Sequence, residues 1–166
     1  MKKTLIVLIA LLSSATVFVS FIYRGKKSTG IPYPEDFRKW THIKTSLTGF
    51  YNIPQRKFDG FHLIYANEKA MQGYHTGHFP EGAIIVFDKH TADTSNGVIK
   101  PGNRKFIDMM IKDSAAFNET GGWGFEEFTG NSRIEGRLSV QQQQACFTTC
   151  HASQANTGFV FSKWED

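Results

Sequence analysis

Two scarcities stand out in this chain: it has few cysteines, and its first 27 residues contain no acidic residue. Two cysteines in 166 residues are too few for a small fold held together by disulfides. The length allows one ordinary domain with a short appendage. About 40% of the residues are hydrophobic and 20% are charged, so the chain is neither a disordered tail nor a multi-span membrane protein.

The missing acids in residues 1–27 change the meaning of the net charge. The whole chain carries +4, from 19 Lys and Arg against 15 Asp and Glu. Five of the basic residues lie in that first segment: Lys2, Lys3, Arg24, Lys26 and Lys27. The rest therefore holds 14 basic and 15 acidic residues, a net charge of −1. A nucleic-acid-binding domain would itself be basic, so we expect no binding to nucleic acid.

A hydrophobic segment over residues 4–23 follows Lys2 and Lys3. A positive start and an apolar stretch are typical of an export signal, and about twenty residues at ~1.5 Å each would also cross a bilayer core. No small-x-small cleavage site ends the stretch, so a cleaved signal and an uncleaved anchor both stay open. A buried helix is a third interpretation, which the missing polar face disfavours. We predict a signal peptide or membrane anchor over residues 1–27 and a folded domain over residues 28–166.

The folded part alternates short strand patterns with helix patterns. Asn67 is a candidate helix cap, and residues 83–88 give the clearest strand signal. Residues 45–52 are mixed, and residues 94–102 are rich in turn formers. The strand candidates are residues 58–65, 83–88, 104–112 and 124–128, and the helix candidates are residues 33–40, 68–75 and 138–146. This order predicts an α+β fold: an antiparallel β-sheet domain with flanking helices.

The motif with the clearest chemistry lies near the C-terminus, where Cys146 and Cys150 are followed directly by His151. Two thiols and an adjacent imidazole are the pattern of covalent haem attachment, in which the thiols add across the haem vinyl groups and the imidazole binds the iron. The usual spacing has two residues between the cysteines, and this chain has three. A strained disulfide between the two cysteines and a zinc site that recruits further ligands are the alternatives.

The chain resembles the cytochrome P-460 and cytochrome c′-beta family over most of residues 31–166. The resemblance rests on short motifs in a fixed order and on the final cysteines with His151. The motifs are Tyr33-Pro34, residues 37–40, 61–65, 79–86, 111–114 and 121–125. It implies an antiparallel β domain, a homodimer, export to the periplasm, and one covalently attached haem c with His151 as its iron ligand. The three-residue spacing leaves open whether both cysteines form thioethers.

The two branches of the family differ at one strand position. In the P-460 branch, which oxidises hydroxylamine, a lysine there is cross-linked to the haem; this chain has Phe87 at the matching position. The resemblance is therefore closer to the c′-beta branch, in which phenylalanines cap the haem, and Phe58 is the expected partner cap. If the alignment slips by two, Lys89 becomes the cross-linking residue; we expect it instead at a solvated strand end.

Two further residues are candidates for catalysis if the protein is an enzyme. His62 matches a polar position near the bound ligand, and Asp108 matches a carboxylate of the enzymatic branch. An apolar cap favours nitric oxide over dioxygen, which needs a hydrogen-bond donor. We therefore expect a five-coordinate, nitric-oxide-binding haem protein, with a hydroxylamine-oxidising enzyme or an electron-transfer cytochrome as alternatives. The sequence does not identify a redox partner.

Overall fold

The computed structural model describes residues 29–49, 56–134 and 136–165. The predicted signal or anchor over residues 1–27 lies outside these ranges, and it stays a prediction. Over the described ranges no helix combines the length and the apolar character needed to span a bilayer.

The fold is a single antiparallel sheet of five strands, arranged in the order of the sequence. The strands are β1 Thr41–Thr48, β2 Gly60–Ala66, β3 Ile84–Ser95, β4 Val98–Lys112 and β5 Trp123–Thr129. Helix α1, Glu68–Thr76, connects β2 to β3, and helix α2, Val140–Thr149, follows β5. Short 3-10 turns lie at Phe37–Lys39, Asn118–Thr120 and His151–Thr157. The predicted α+β class with an antiparallel sheet is confirmed.

Side-chain caps explain where the two helices begin. The Asn67 side chain accepts a hydrogen bond from the backbone N–H of Ala70 at 2.8 Å, which confirms the predicted cap of α1. Ser139 and Gln142 form a reciprocal capping box at the start of α2. Each cap satisfies amide groups that the first turn of a helix leaves without partners.

The hairpin of β3 and β4 is longer than the sequence predicts. Asn96 and Gly97 have φ values of 50° and 75°, the left-handed pair that a tight two-residue hairpin turn requires. The strands run continuously to this turn, so the turn-rich interpretation of residues 94–102 holds only for residues 96 and 97, and the remaining residues are strand. This distal part of the hairpin is solvent-exposed on both faces, so its side chains are mostly polar. The sequence therefore lacks the alternation of apolar and polar residues that predicts a strand.

Two other local predictions need correction. Residues 41–48 form the edge strand β1, although the sequence pattern is mixed from residue 45 onwards; residues 50–55 lie outside the described ranges. The predicted helix over residues 33–40 is a single 3-10 turn at Phe37–Lys39, preceded by Asp36 with a left-handed φ of 56°. That left-handed residue prevents a continuous helix.

Each face of the sheet carries its own core. On one face Phe37, Tyr65, Val86, Ile107 and Phe128 pack together. Also on this face, Asp88 is fully buried, and its carboxylate accepts hydrogen bonds from Arg104 Nε at 2.6 Å and Arg38 Nη2 at 2.9 Å, with His90 Nε2 at 3.0 Å. The other face is covered by the helices and the C-terminal segment, and it forms the floor of a cavity.

Candidate functional site

A cavity of about 580 Å³ lies between the second sheet face and the C-terminal part of the chain. Every site residue predicted from the sequence lines it: Phe58, His62, Phe87, Asp108, Cys146, Cys150 and His151. These residues come from the loop before β2, from three strands, and from α2 with the turn that follows it. The fold therefore brings together side chains that are up to 93 positions apart, from 58 to 151.

The floor of the cavity is a row of directly paired residues that crosses all five strands. Lys44 of β1 pairs with Ile64, which pairs with Phe87. Phe87 pairs with Asp108, which pairs with Glu127 of β5. Side chains of directly paired residues lie on the same face of a sheet, and all five line the cavity. The row thus has a cation at one end, apolar groups in the middle and acids at the other end.

The cysteines and His151 stand where α2 ends. Cys146 and Cys150 are four residues apart, so both thiols lie on one side of the helix, and the N–H of Cys150 donates to the Cys146 carbonyl at 3.3 Å. The unusual three-residue spacing therefore presents both thiols to the cavity. Both cysteines are free thiols. Burial, followed by the negative charge of Asp108, raises the pKa of the Cys146 thiol.

His151 is held in one orientation by its backbone neighbour and by aromatic rings. Its Nδ1 donates to the Phe159 carbonyl at 2.8 Å, since a carbonyl only accepts. The ring lies 4.6 Å from that of Phe125 and 5.1 Å from that of Phe161, centroid to centroid. Burial lowers the pKa of His151, which favours a neutral imidazole. With Nδ1 protonated, Nε2 keeps its lone pair for a metal ion, as is typical of histidine ligands.

An aromatic cluster surrounds Phe87 in the middle of the row. Its ring centroid is 6.2 Å from that of Phe58 and 6.2 Å from that of Phe106, onto which it stacks. Phe58 lies in the turn before β2, and not on the strand that the sequence predicted over residues 58–65. Phe106, which the sequence analysis did not single out, supports the cluster from β4.

His62 lines the cavity beside this cluster, but its ring nitrogen is already engaged. The ring centroid is 4.7 Å from that of Phe87. Nε2 lies against the Phe58 carbonyl and 3.2 Å from Thr48 Oγ1. Burial lowers the pKa of His62. The lowered pKa favours the neutral imidazole, and its Nε2–H donates a hydrogen bond to the Phe58 carbonyl.

The acidic end of the row contains residues that sequence reasoning missed. Burial, followed by the charge of Glu127, raises the pKa of Asp108 well above its ordinary value. Glu127 is buried and pairs with Lys57 Nζ at 2.8 Å and with Arg137. Glu126 is also buried and accepts hydrogen bonds from the N–H groups of Glu127 and Leu138 at 2.9 and 2.8 Å. Adjacent acids in a sequence ordinarily indicate a solvent-exposed segment, so only the fold places them inside.

Lys89 differs from its expected position. It is 1% exposed, and its Nζ donates to the His90 carbonyl at 3.0 Å and to the Asp59 carbonyl. The expectation of a solvated strand end is wrong because β3 continues to Ser95. Gly60 makes room for this ammonium group, since a Cβ there would lie 2.6 Å from Nζ. Lys89 is not among the described residues that line the cavity.

The alternatives to haem attachment have little support in the described residues. The two thiols are not joined. In residues 29–49, 56–134 and 136–165, no three or more His, Cys, Asp and Glu side chains are arranged to hold a metal ion among themselves.

Volume and donor chemistry both fit a haem. Cofactor sites are typically apolar cavities of ~300–1,000 Å³ with a few placed polar groups, and this cavity has two thiols and an imidazole on one wall. The fold and the site are those of a cofactor-binding protein. The chain belongs to the cytochrome P460 family, whose model matches residues 34–162. Membership implies a haem cofactor. No curated protein gives a significant match.

Proposed function

We propose that this protein is an exported c-type monohaem protein that binds nitric oxide, in order to buffer or detoxify it. Cys146 and Cys150 would hold the haem through thioether bonds, and His151 Nε2 would bind the iron. A haem held by these residues would supply an iron atom that can bind a small diatomic ligand. The family membership supports the haem, and the shared wall of thiols and imidazole supports the attachment.

The observation that carries the choice of ligand is the aromatic cluster at Phe87. Phe58 and Phe87 line the cavity with their rings edge to face, and the Nε2–H of His62 donates to the Phe58 carbonyl. Bound dioxygen carries partial negative charge and gains from a donor, whereas nitric oxide depends on one much less. The polarity of the pocket around the bound ligand is one of the means by which proteins select among haem ligands. The cluster therefore favours nitric oxide.

The experiment compares ligand affinities in the protein loaded with haem by a cytochrome maturation system. Phe87→Gln places an amide donor at the cluster, and Phe87→Leu keeps the site apolar as the matched control. One added hydrogen bond is worth about 0.5–1.5 kcal/mol. We expect the Gln variant to raise dioxygen affinity relative to nitric oxide affinity by roughly two- to tenfold. An unchanged ratio, or an equal change in the Leu variant, contradicts the proposal.

The acidic end supports a second candidate, an enzyme that oxidises hydroxylamine. Asp108 lies beside Glu127, and its raised pKa suits a group that exchanges protons with a substrate in the cavity. The lysine that the enzymatic branch uses is replaced by Phe87, and the Lys89 ammonium is held by two backbone carbonyls. Steady-state turnover of hydroxylamine separates the candidates: activity that Asp108→Asn abolishes would establish the enzyme.

Export and self-association belong to the same proposal. The hydrophobic segment over residues 4–23 supports export to the periplasm, and the family resemblance supports a homodimer. Cell fractionation and the intact mass of the mature chain test the export. The mass of the protein in solution tests the homodimer. A cytoplasmic, haem-free product would contradict the proposed export.

A further inference from the structure

The row across the sheet has opposite charges at its two ends, and this polarity has a consequence for the orientation of the haem. Neighbouring strands lie ~4.8 Å apart, so three spacings from β1 to β4 separate the backbones of Lys44 and Asp108 by roughly 14 Å. That span is comparable to the width of a porphyrin with its side chains. The inference developed here rests on the proposed function, because it takes the cavity as the haem site.

The acidic end is next to the cysteine closer to the sheet. Helix α2, which carries Cys146, is held against β5: the Gln143 side chain accepts a hydrogen bond from the Phe125 N–H at 2.8 Å, and the Leu138 N–H donates to the Glu126 carboxylate at 2.8 Å. The cations at this end are already paired, since Lys57 and Arg137 both contact Glu127. A further carboxylate placed here would add negative charge beside the buried carboxyl groups of Glu126 and Glu127, and the described residues offer no unpaired cation there.

The positions of the vinyl and propionate groups on the haem then determine which edge of the macrocycle lies at each end of the row. The two vinyl-bearing pyrrole rings are on one edge of the macrocycle, and the two propionates are on the opposite edge. Thioether attachment at Cys146 and Cys150 would place the vinyl edge beside the acids. The propionates, which are anionic at neutral pH, would then lie on the opposite edge, toward β1.

Among the described residues that line the cavity, the cation at the β1 end is Lys44. It lines the cavity and is exposed, and the described part of the chain provides no ion-pair partner for it within 4.0 Å. Ser46 follows two residues later on the same face of β1 and adds a hydroxyl to the same wall. We propose that Lys44, assisted by Ser46, is the site that binds the haem propionates.

The test measures the ionisation of a propionate in the haem-loaded protein, through the pH dependence of the reduction potential. An opposite charge within ~4–6 Å shifts a carboxyl pKa by ~1–3 pH units, and the exposure of Lys44 favours the lower value. The pH at which the reduction potential changes slope, called the propionate break below, reports the pKa of a propionate. We expect Lys44→Gln to raise this pH by roughly one unit, Lys44→Glu to raise it further, and Lys44→Arg to leave it unchanged.

Controls identify the group that titrates. Lys100→Glu makes the same charge change at an exposed position of β4 outside the cavity, and should leave the break unmoved. The other titratable groups on the wall, besides the attachment residues, are Lys57, His62, Asp108, Glu126 and Glu127. His62 pairs with Ser46, so a His62→Gln background removes its own titration from the curve.

The possible outcomes separate this proposal from the proposed function. A shifted break together with a shifted propionate bending band in the resonance Raman spectrum supports it. Reduced haem content in Lys44→Glu alone, with unchanged circular dichroism, also supports it. If the break and the band of Lys44→Glu match those of Lys100→Glu, the proposal is wrong although the protein binds haem. A wild-type protein that carries no haem refutes the proposed function instead.

Discussion

Replacing Asp88 with Asn tests whether the buried ion cluster behind the cavity holds β3 in place. The carboxylate is fully buried, and three cationic or ionisable side chains surround it: Arg104, Arg38 and His90. Arg104 makes two contacts, at 2.6 and 3.0 Å, and its side chain is only 13% exposed. An amide keeps the shape of the side chain but removes the charge that balances this guanidinium.

The expected cost follows from the burial of the partners. Removing one member of a buried ion pair typically destabilises a protein by ~3–5 kcal/mol, because the remaining charge is left uncompensated. For a domain of this size the loss corresponds to a decrease in melting temperature of roughly 10–20 °C. Arg38 contributes less, since its side chain is 55% exposed and its interaction is screened by water.

Urea unfolding monitored by far-ultraviolet circular dichroism measures the effect. Asp36→Asn is the matched control, because its ion pair with Lys39 is exposed on both sides and such pairs are worth ~0–1 kcal/mol. If Asp88→Asn costs no more than Asp36→Asn, the cluster does not stabilise the sheet, and the argument from burial is wrong.

Three other substitutions test the site itself. His151→Ala should remove the iron ligand while the thioethers remain, so the absorption spectrum should change at constant haem mass; an unchanged spectrum means that another group binds the iron. Phe87→Lys places an amine where the P-460 branch has its cross-linking lysine, and we expect a red-shifted ferrous band that Phe87→Met lacks; without the shift, this position alone does not set the branch. The free energy of unfolding of Asp108→Asn, relative to that of the wild type, should increase as the pH rises from 4 toward neutrality, by at most about 1.4 kcal/mol per pH unit. The reason is that the raised pKa of Asp108 makes the folded state bind more protons than the unfolded state, so the wild type loses stability with rising pH. Equal pH profiles of the urea midpoint for wild type and Asp108→Asn would refute that assignment.

Local signals in the sequence predict much of the fold. Asn67 is a recognisable cap, and the apolar run at residues 83–88 can only be a buried strand or part of a buried helix. These signals depend on neighbours within a few positions. β1 lacked them, because an edge strand exposed on one side can be built from Thr, Lys and Ser.

The sequence predicts which residues belong to the site, but it does not predict how their side chains are positioned relative to one another in the cavity. The motif from Cys146 to His151 is contiguous, so its chemistry can be inferred from the sequence alone. The pairing of Lys44 with Ile64, and onward to Glu127, depends on the register of all five strands. A shift by one residue would send each side chain to the opposite face. The burial of Lys89 likewise depends on the Asp59 carbonyl, 30 positions away in the sequence, which accepts from its ammonium group together with the adjacent His90 carbonyl.

The irregular pairing of β1 affects more than the cavity. The register between β1 and β2 shifts between His42 and Lys44, and such a bulge twists a strand and interrupts its hydrogen-bonding edge. An edge strand with even spacing invites a strand from another molecule to add to the sheet, and a bulge with a lysine beside it discourages this. The break that turns Lys44 toward the cavity therefore also protects the protein against aggregation through its open edge.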